Sequence, residues 1–303
     1  MCRLFGFRSV IPSQVHRSLL SAENALVWQS ERHPDGWGVA YFVGGIPHLI
    51  KSAETAIQDS LFRRVSGIVS SHTVVAHLRK ATKGTNSLIN SHPFQYGSWV
   101  FAHNGDISNF DEHRGELVAQ VHPTLRRFIL GDTDSEVFFY LLLGNLSQRL
   151  GQSGKTLHQN DIDPKDLVAA IEDTIAEVEE TVGLRCYEPN DPENRLLLSF
   201  VLTNGETMVA HQGGKDLFYS THKVCCPERD SCPSFARSCE ASSGTGDIVN
   251  HMIFSSEELS GENVWQAMEP GQIIGVDRKM RLFDSHGVVP LTRAPAPSPS
   301  RSA

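Results

Sequence analysis

Four positions in this sequence carry side chains that could act together on an amide bond. Cys2 directly follows Met1. A small residue at that place allows Met1 to be removed, which leaves Cys2 with a free α-amine beside its own thiol. The amine has a pKa of about 7.7–8.0 and the thiol of about 8.5, so the amine can take the thiol proton, directly or through a water. The thiolate is the nucleophilic form, and activation by an N-terminal amine is one route to it. Arg79 ends the apolar run of AHLRKAT at 76–82, and its planar fork suits a carboxylate. In AHNGDISN at 102–109, the Asn104 amide and the Gly105 N–H can converge on one oxygen, which is the make-up of an oxyanion hole. Asp134 falls in the first turn of a helical stretch, where a carboxylate complements the helix dipole and can also capture an ammonium. Each residue has a plainer reading on its own. These are a small apolar residue, a surface arginine at a strand end, an Asn-Gly turn and a helix-start carboxylate.

The combination is more specific than its parts. MCRLFGF, HPDGWG, LRKAT, HNG and TDSE follow one another in this order over residues 1 to 136. Together they resemble the glutaminase domain of class II glutamine amidotransferases, which are N-terminal-nucleophile hydrolases. The resemblance implies an α+β fold, a four-layer αββα sandwich. It also implies roles: Cys2 attacks the side-chain carbonyl of a γ-glutamyl group, Arg79 holds the α-carboxylate, and Asp134 holds the α-ammonium. Asn104 and Gly105 stabilise the tetrahedral oxyanion, and water then hydrolyses a γ-glutamyl thioester. Asp35 and Trp37 in HPDGWG at 33–38, and His92 in SHPF at 91–94, are expected to line the site. His92 reads equally well as a packed loop histidine. The residues alone give compatible chemistry, because an anion clamp, a cation clamp, a nucleophile and an oxyanion hole describe a zwitterionic amino acid attacked at its far end.

The elements that position these residues can be read from periodicity and turn signals. Residues 14–31 are expected to form a helix, ended by HPDGWG before the strand-like VAYFV. HTVVAHL at 72–78 and SWVFAH at 98–103 are apolar, β-branched and aromatic, as buried strands are. A helix is expected at 133–150 with a capping box from Thr133 to Glu136, and another at 164–182 between Pro164 and Gly183. The chain then becomes β-rich, with Asn204-Gly205 as a hairpin signal. A single domain over 2–290 is expected, followed by a disordered Pro/Ser/Ala-rich tail at 291–303.

Composition narrows the function classes. The 303 residues carry a net charge of -8, which argues against a nucleic-acid or anionic-membrane partner. No apolar run approaches a membrane span, and the N-terminus lacks the apolar core of an export signal, so a cytoplasmic location is expected. Six cysteines are expected to be free thiols in that compartment. Four of them, Cys225, Cys226, Cys232 and Cys239, crowd into one polar stretch whose spacing fits no usual zinc pattern. That stretch reads as a surface loop, with a metal or redox site as the alternative. No metal or cofactor is expected. The larger family members carry a second, ammonia-consuming domain, for which this chain ends too soon. It resembles instead the stand-alone branch that includes the ergothioneine-pathway amidohydrolase and the glutathione-degrading amidotransferase-like subunit. Three functions stay open: a self-contained amidohydrolase of a small γ-glutamyl substrate, a glutaminase subunit feeding ammonia to a separate synthase, or a non-catalytic interaction protein built around the Cys-rich loop.

Overall fold

The computed structural model describes residues 2–15, 17–81, 84–184, 186, 195–227, 229–232, 235–240, 248–285 and 287–288. The first half supplies β1 (Arg3–Gln14), β2 (Trp37–Val43), β3 (Ile46–Ser52), β4 (Ser70–Leu78), β5 (Phe94–Tyr96) and β6 (Trp99–Ile107). The helices are α1 (Leu26–Gln29), α2 (Ser60–Ile68), α3 (Phe110–Gln120), α4 (Pro123–Arg126), α5 (Asp134–Gln152) and α6 (Pro164–Val182). The later strands are β7 (Leu196–Thr203), β8 (Met208–His211), β9 (Phe218–Ser220), β10 (His251–Ser255), β11 (Gln266–Ala267), β12 (Ile273–Val276), β13 (Leu282–Asp284) and β14 (Gly287–Val288).

They form two antiparallel sheets, ordered β11-β9-β10-β1-β4-β2-β3 and β14-β13-β12-β8-β7-β6-β5. Alternation along the strands explains the layering, since successive side chains point to opposite faces. Leu4 of β1, Val75 of β4, Val100 and Ala102 of β6 and Val201 of β7 meet in a core between the sheets. On the other face of the first sheet, Phe5, Phe7, Val74 and Ala76 pack with Phe62 and Val65 of α2. On the other face of the second sheet, Phe101, Leu198 and Phe200 pack with α5 and α6 through Phe138, Leu142 and Ile171. Three cores between four layers make the α+β sandwich that the resemblance implied.

The two long helices lie where periodicity placed them. Thr133 Oγ1 accepts the Glu136 N–H at 3.3 Å. The Glu136 carboxylate does not close a capping box, and accepts instead from Leu130 N and Gly131 N, at 3.1 and 2.7 Å. The Asn204-Gly205 hairpin also forms, with Asn204 Oδ1 accepting from Glu206 N and Thr207 N at 3.1 and 2.8 Å.

The expected helix at 14–31 does not form. The segment is a π-type turn at Arg17–Ser21, the short α1 and a 3-10 turn at Ser30–Arg32. The helical path breaks at Ala25, whose extended backbone (φ -56°, ψ 158°) precedes α1 and lets Ala25, Leu26 and Val27 enter the core of the first sheet together. The expected tail at 291–303 lies outside the described residues. The Cys-rich stretch is more folded than a plain surface loop. Lys223 N donates to Cys239 O at 2.8 Å, Cys226 N donates to Glu240 Oε1 at 2.7 Å, and Cys226 is buried. Among the described residues no helix is long and apolar enough to cross a membrane.

Candidate active site

β1 and β4 run antiparallel with Arg3 opposite Leu78, which brings Cys2 beside the residues that follow β4. Cys2 Sγ accepts the Lys80 N–H at 3.3 Å and lies 3.4 Å from Lys80 O. Burial pushes the Cys2 thiol above its ordinary pKa, the Lys80 N–H and the Arg79 charge pull it down, and the Asp134 carboxylate adds to the rise. The resting group is therefore a thiol at neutral pH, and a nearby base must take its proton before it can attack.

The HPDGWG turn clasps the strand end. Arg79 N donates to Gly36 O at 2.8 Å, Asp35 N donates to Arg79 O at 3.2 Å, and Asp35 Oδ2 accepts from Ala81 N at 2.9 Å. Gly36 sits at φ 120°, and a Cβ there would lie 2.7 Å from Ser52 O, so only glycine fits the turn. Arg79 is buried, and its guanidinium donates to Gly84 O, Thr85 O and Asn86 Oδ1 at 3.2–3.3 Å. Asp35 thus positions Arg79 through the backbone.

The second sheet contributes from inside a ladder. Asn104 and Gly105 of β6 pair with Ser199 and Leu198 of β7. A Cβ on Gly105 would lie 1.9 Å from Leu197 O and 2.1 Å from His103 Nε2, so no other residue fits without moving the strand. His103 Nε2–H donates to Leu197 O at 2.9 Å, and its Nδ1 lies 2.9 Å from Ser135 Oγ. The buried Asp134 accepts from Ile107 N at 2.9 Å and from Ser135 N at 2.7 Å, which ties the start of α5 to the end of β6.

Cys2, Lys80, Asn104, Gly105, Asp106, Arg195, Leu197 and Lys215 line one cleft. The nucleophile candidate and both oxyanion candidates therefore face the same space, within range of the Arg79 and Asp134 charges. Arg79, Asp134 and Asp35 are not among the residues that line the cleft and lie close behind it, while Trp37 and His92 sit elsewhere. The Trp37 ring is buried in the core of the first sheet, edge-on to Phe62 at 5.0 Å, with its indole N–H donating to Asp59 at 3.1 Å. It does not line the cleft, because alternation on β2 turns it toward the helices. His92 is also buried and does not line it. Its ring lies 4.2 Å from His77 and 4.7 Å from Phe94, and neither ring nitrogen has a hydrogen-bond partner among the described residues. Burial, then the neighbouring His77, hold it well below the ordinary histidine range, so it is a neutral packing ring.

Sequence reading passed over Asp106, Arg195 and Lys215. The one local signal was the glycine pair of HQGGKD at 211–216, which allows a tight turn onto β7. Among the described residues no group of histidines, cysteines and carboxylates is arranged to hold a metal ion.

Comparison with known proteins identifies the family of the chain. The family model for class-II glutamine amidotransferases matches residues 1–185. A probable glutamine amidotransferase of Saccharomyces cerevisiae, DUG3, is 31% identical over 69% of this chain, a stretch that spans 62% of the yeast protein. A gamma-glutamyl-hercynylcysteine sulfoxide hydrolase of Mycobacterium tuberculosis is 40% identical over 24% of this chain and 32% of its own length. Among solved structures, a glutamine aminotransferase class-II domain protein from Silicibacter pomeroyi superposes with a TM-score of 0.56. It covers 93% of this chain and 98% of its own at 19% identity, a likeness of fold alone. With the family model matched over more than half of its 303 residues, the chain belongs to the class II glutamine amidotransferases.

Proposed function

We propose that this protein hydrolyses the γ-amide of glutamine or of a γ-glutamyl compound through a thioester on Cys2. The observation that carries the reading is the shared cleft: Cys2, Asn104 and Gly105 face one space, with the Arg79 and Asp134 charges bearing on the thiol. Loss of Met1 frees the α-amine of Cys2, which takes the thiol proton. The thiolate attacks the γ-carbonyl, forming a C–S bond while the carbonyl electrons move onto oxygen. The Asn104 side chain and the Gly105 N–H receive that oxyanion. Collapse breaks the C–N bond, and the proton first taken from the thiol passes to the leaving nitrogen. Water then attacks the thioester and releases glutamate and the thiol.

Arg79 and Asp134 hold the unreactive end. Arg79 offers a charged fork to the α-carboxylate, in exchange for its loop acceptors at 84–86. Asp134 Oδ2 accepts from Ile107 N, and an sp² oxygen has a second lone pair for an α-ammonium. The name of the mycobacterial relative, a γ-glutamyl hydrolase, supports the substrate class.

Glutamate release from glutamine, N-acetylglutamine and simple γ-glutamyl amides tests the reading. Wild type is expected to cleave at least one substrate with a free α-amine and to discriminate against the acetylated one, and Cys2→Ser to lose most activity while folding normally. Release from none of them, or equal rates with Cys2→Ser, would count against the proposal.

A further inference from the structure

Asn90 directly precedes SHPF and has no part in the reaction as written, yet its side chain is fully buried and every polar atom on it is used. Nδ2 donates to Thr85 O at 3.0 Å and to Thr85 Oγ1 at 3.3 Å, and Oδ1 accepts from Asp132 N at 3.0 Å. That set fixes which end of the amide is which, because a flipped group would meet a donor with a donor at Asp132 and a carbonyl with a carbonyl at Thr85. Two glycines close on the same group. A Cβ on Gly84, at φ 71°, would lie 2.9 Å from Asn90 Nδ2, and a Cβ on Gly131 would lie 2.3 Å from Asn90 Oδ1. The two chain segments thus reach the amide from its opposite ends with no side chain between.

Each segment leads to a clamp residue. Thr85 O also accepts from Arg79 Nη1 at 3.2 Å, so Asn90 and Arg79 share one acceptor. Asp132 precedes Thr133, the cap of α5, and Asp134 in its first turn. Glu136 holds the same segment from the α5 side, accepting from Leu130 N and Gly131 N. Asn90 itself is anchored through its neighbour, since Lys51 Nζ donates to Ser91 O at 2.8 Å and Ser91 Oγ donates to Ser87 O at 2.9 Å. When Arg79 leaves its loop acceptors for an α-carboxylate, Thr85 O keeps a donor in Asn90, and the loop stays in place.

We propose that Asn90 is a positioning residue that sets the span between the carboxylate clamp of Arg79 and the ammonium clamp of Asp134. The proposal rests on the γ-glutamyl reading above. An amino acid carries its two charged groups on one carbon, so clamps already at that spacing lose little freedom on binding. Without the Asn90 bridge each clamp can still meet its own group, but meeting both at once requires two segments to be ordered together. The loss should therefore fall on substrates that carry both groups and spare those that carry one.

Glutamine and γ-glutamylmethylamide, each free, N-acetylated or α-amidated, test this through kcat and KM for release of ammonia or methylamine. Wild type, Asn90→Ala and Asn90→Asp are compared, with a melting temperature for each. Asn90→Ala should raise KM for the free forms by about tenfold, with kcat lowered less and the masked forms little changed, so the preference for free substrate narrows. Asn90→Asp keeps the acceptor for Asp132 N and loses both donors to Thr85. Its defect should fall on the carboxylate: the free and α-amidated forms converge, while the N-acetylated form stays as poor as in wild type. It also carries the test if Asn90→Ala does not fold. A loss equal across all three forms, or one in kcat alone, would make Asn90 a purely structural residue and overturn the proposal. Preferences and KM values unchanged in both variants would overturn it too. Wild type that cleaved free and masked forms alike would remove the clamps themselves, and cleavage of none would remove the hydrolase reading. Either result takes the proposal with it and is distinct from failure at Asn90 alone.

Discussion

The two sheets hold their parts of the site in different ways. On the first sheet, Cys2 and Arg79 stand just beyond strand ends, and loop contacts fix them. The Asp35-Gly36 turn clasps residues 79 to 81, and the Arg79 guanidinium is spread over backbone and side-chain acceptors at 84–86. On the second sheet, Asn104 and Gly105 lie within a strand that is paired along its length to β7, backed by His103 and by the start of α5. A Cβ added at Gly105 meets backbone and a buried ring, whereas Lys80 and Ala81 are held by single contacts to Cys2 Sγ and Asp35 Oδ2. Loops can adjust to a ligand and ladders cannot. The difference suggests a division of labour: the adjustable side brings the nucleophile and the carboxylate clamp to the substrate, and the rigid side holds the Asp134 ammonium clamp and the donors that wait for charge developing in the transition state.

The sharpest way to break that division is on the rigid side. Asn104→Ala should lower kcat by about 10²–10³, with little change in the apparent affinity for a γ-glutamyl substrate. Steady-state kinetics on a single amide decides the matter, and a variant whose defect lay in KM alone would place Asn104 among the binding residues. A smaller effect is expected on the adjustable side. Asp35→Ala removes the acceptor for Ala81 N and loosens the clasp behind Arg79, without touching substrate. It should raise KM by about tenfold, one lost contact's worth, and lower kcat less. The readout that separates positioning from general damage is the ratio of the two parameters at an unchanged melting temperature. If Asp35→Ala reduced kcat as far as Asn104→Ala, the two sides would not differ as claimed.

How far sequence led to this picture depends on how local each signal was. The helices at 134–152 and 164–182 were legible because capping residues and helical periodicity act within a few residues. The strands carrying Arg79 and Asn104 were legible for the same kind of reason, as apolar runs ending in turn residues. Trp37 was misread because an aromatic beside a motif glycine looks functional, and only the strand's alternation and the position of Phe62 send it to the core. The 14–31 segment was misread because helical composition says nothing about which residues must be buried together. His92 was ambiguous in sequence and is a packed ring in the fold. Lys215 and Arg195 were invisible for a further reason. They join the cleft through the register of β6 against β7, and so depend on pairing between segments about 90 residues apart in sequence. A list of motifs contains no information of that kind.

The claim beneath all of this is that one thiol, made nucleophilic by its own α-amine, does the chemistry. Intact-mass measurement and peptide mapping on active protein, before and after treatment with a glutamine-like electrophile, test that claim most directly. The account predicts a chain that begins at Cys2, takes up a single label there as activity disappears, and leaves Cys225, Cys226, Cys232 and Cys239 unmodified. A fully active chain that retains Met1 on every molecule, or a label found mainly in the 225–239 stretch, would contradict it.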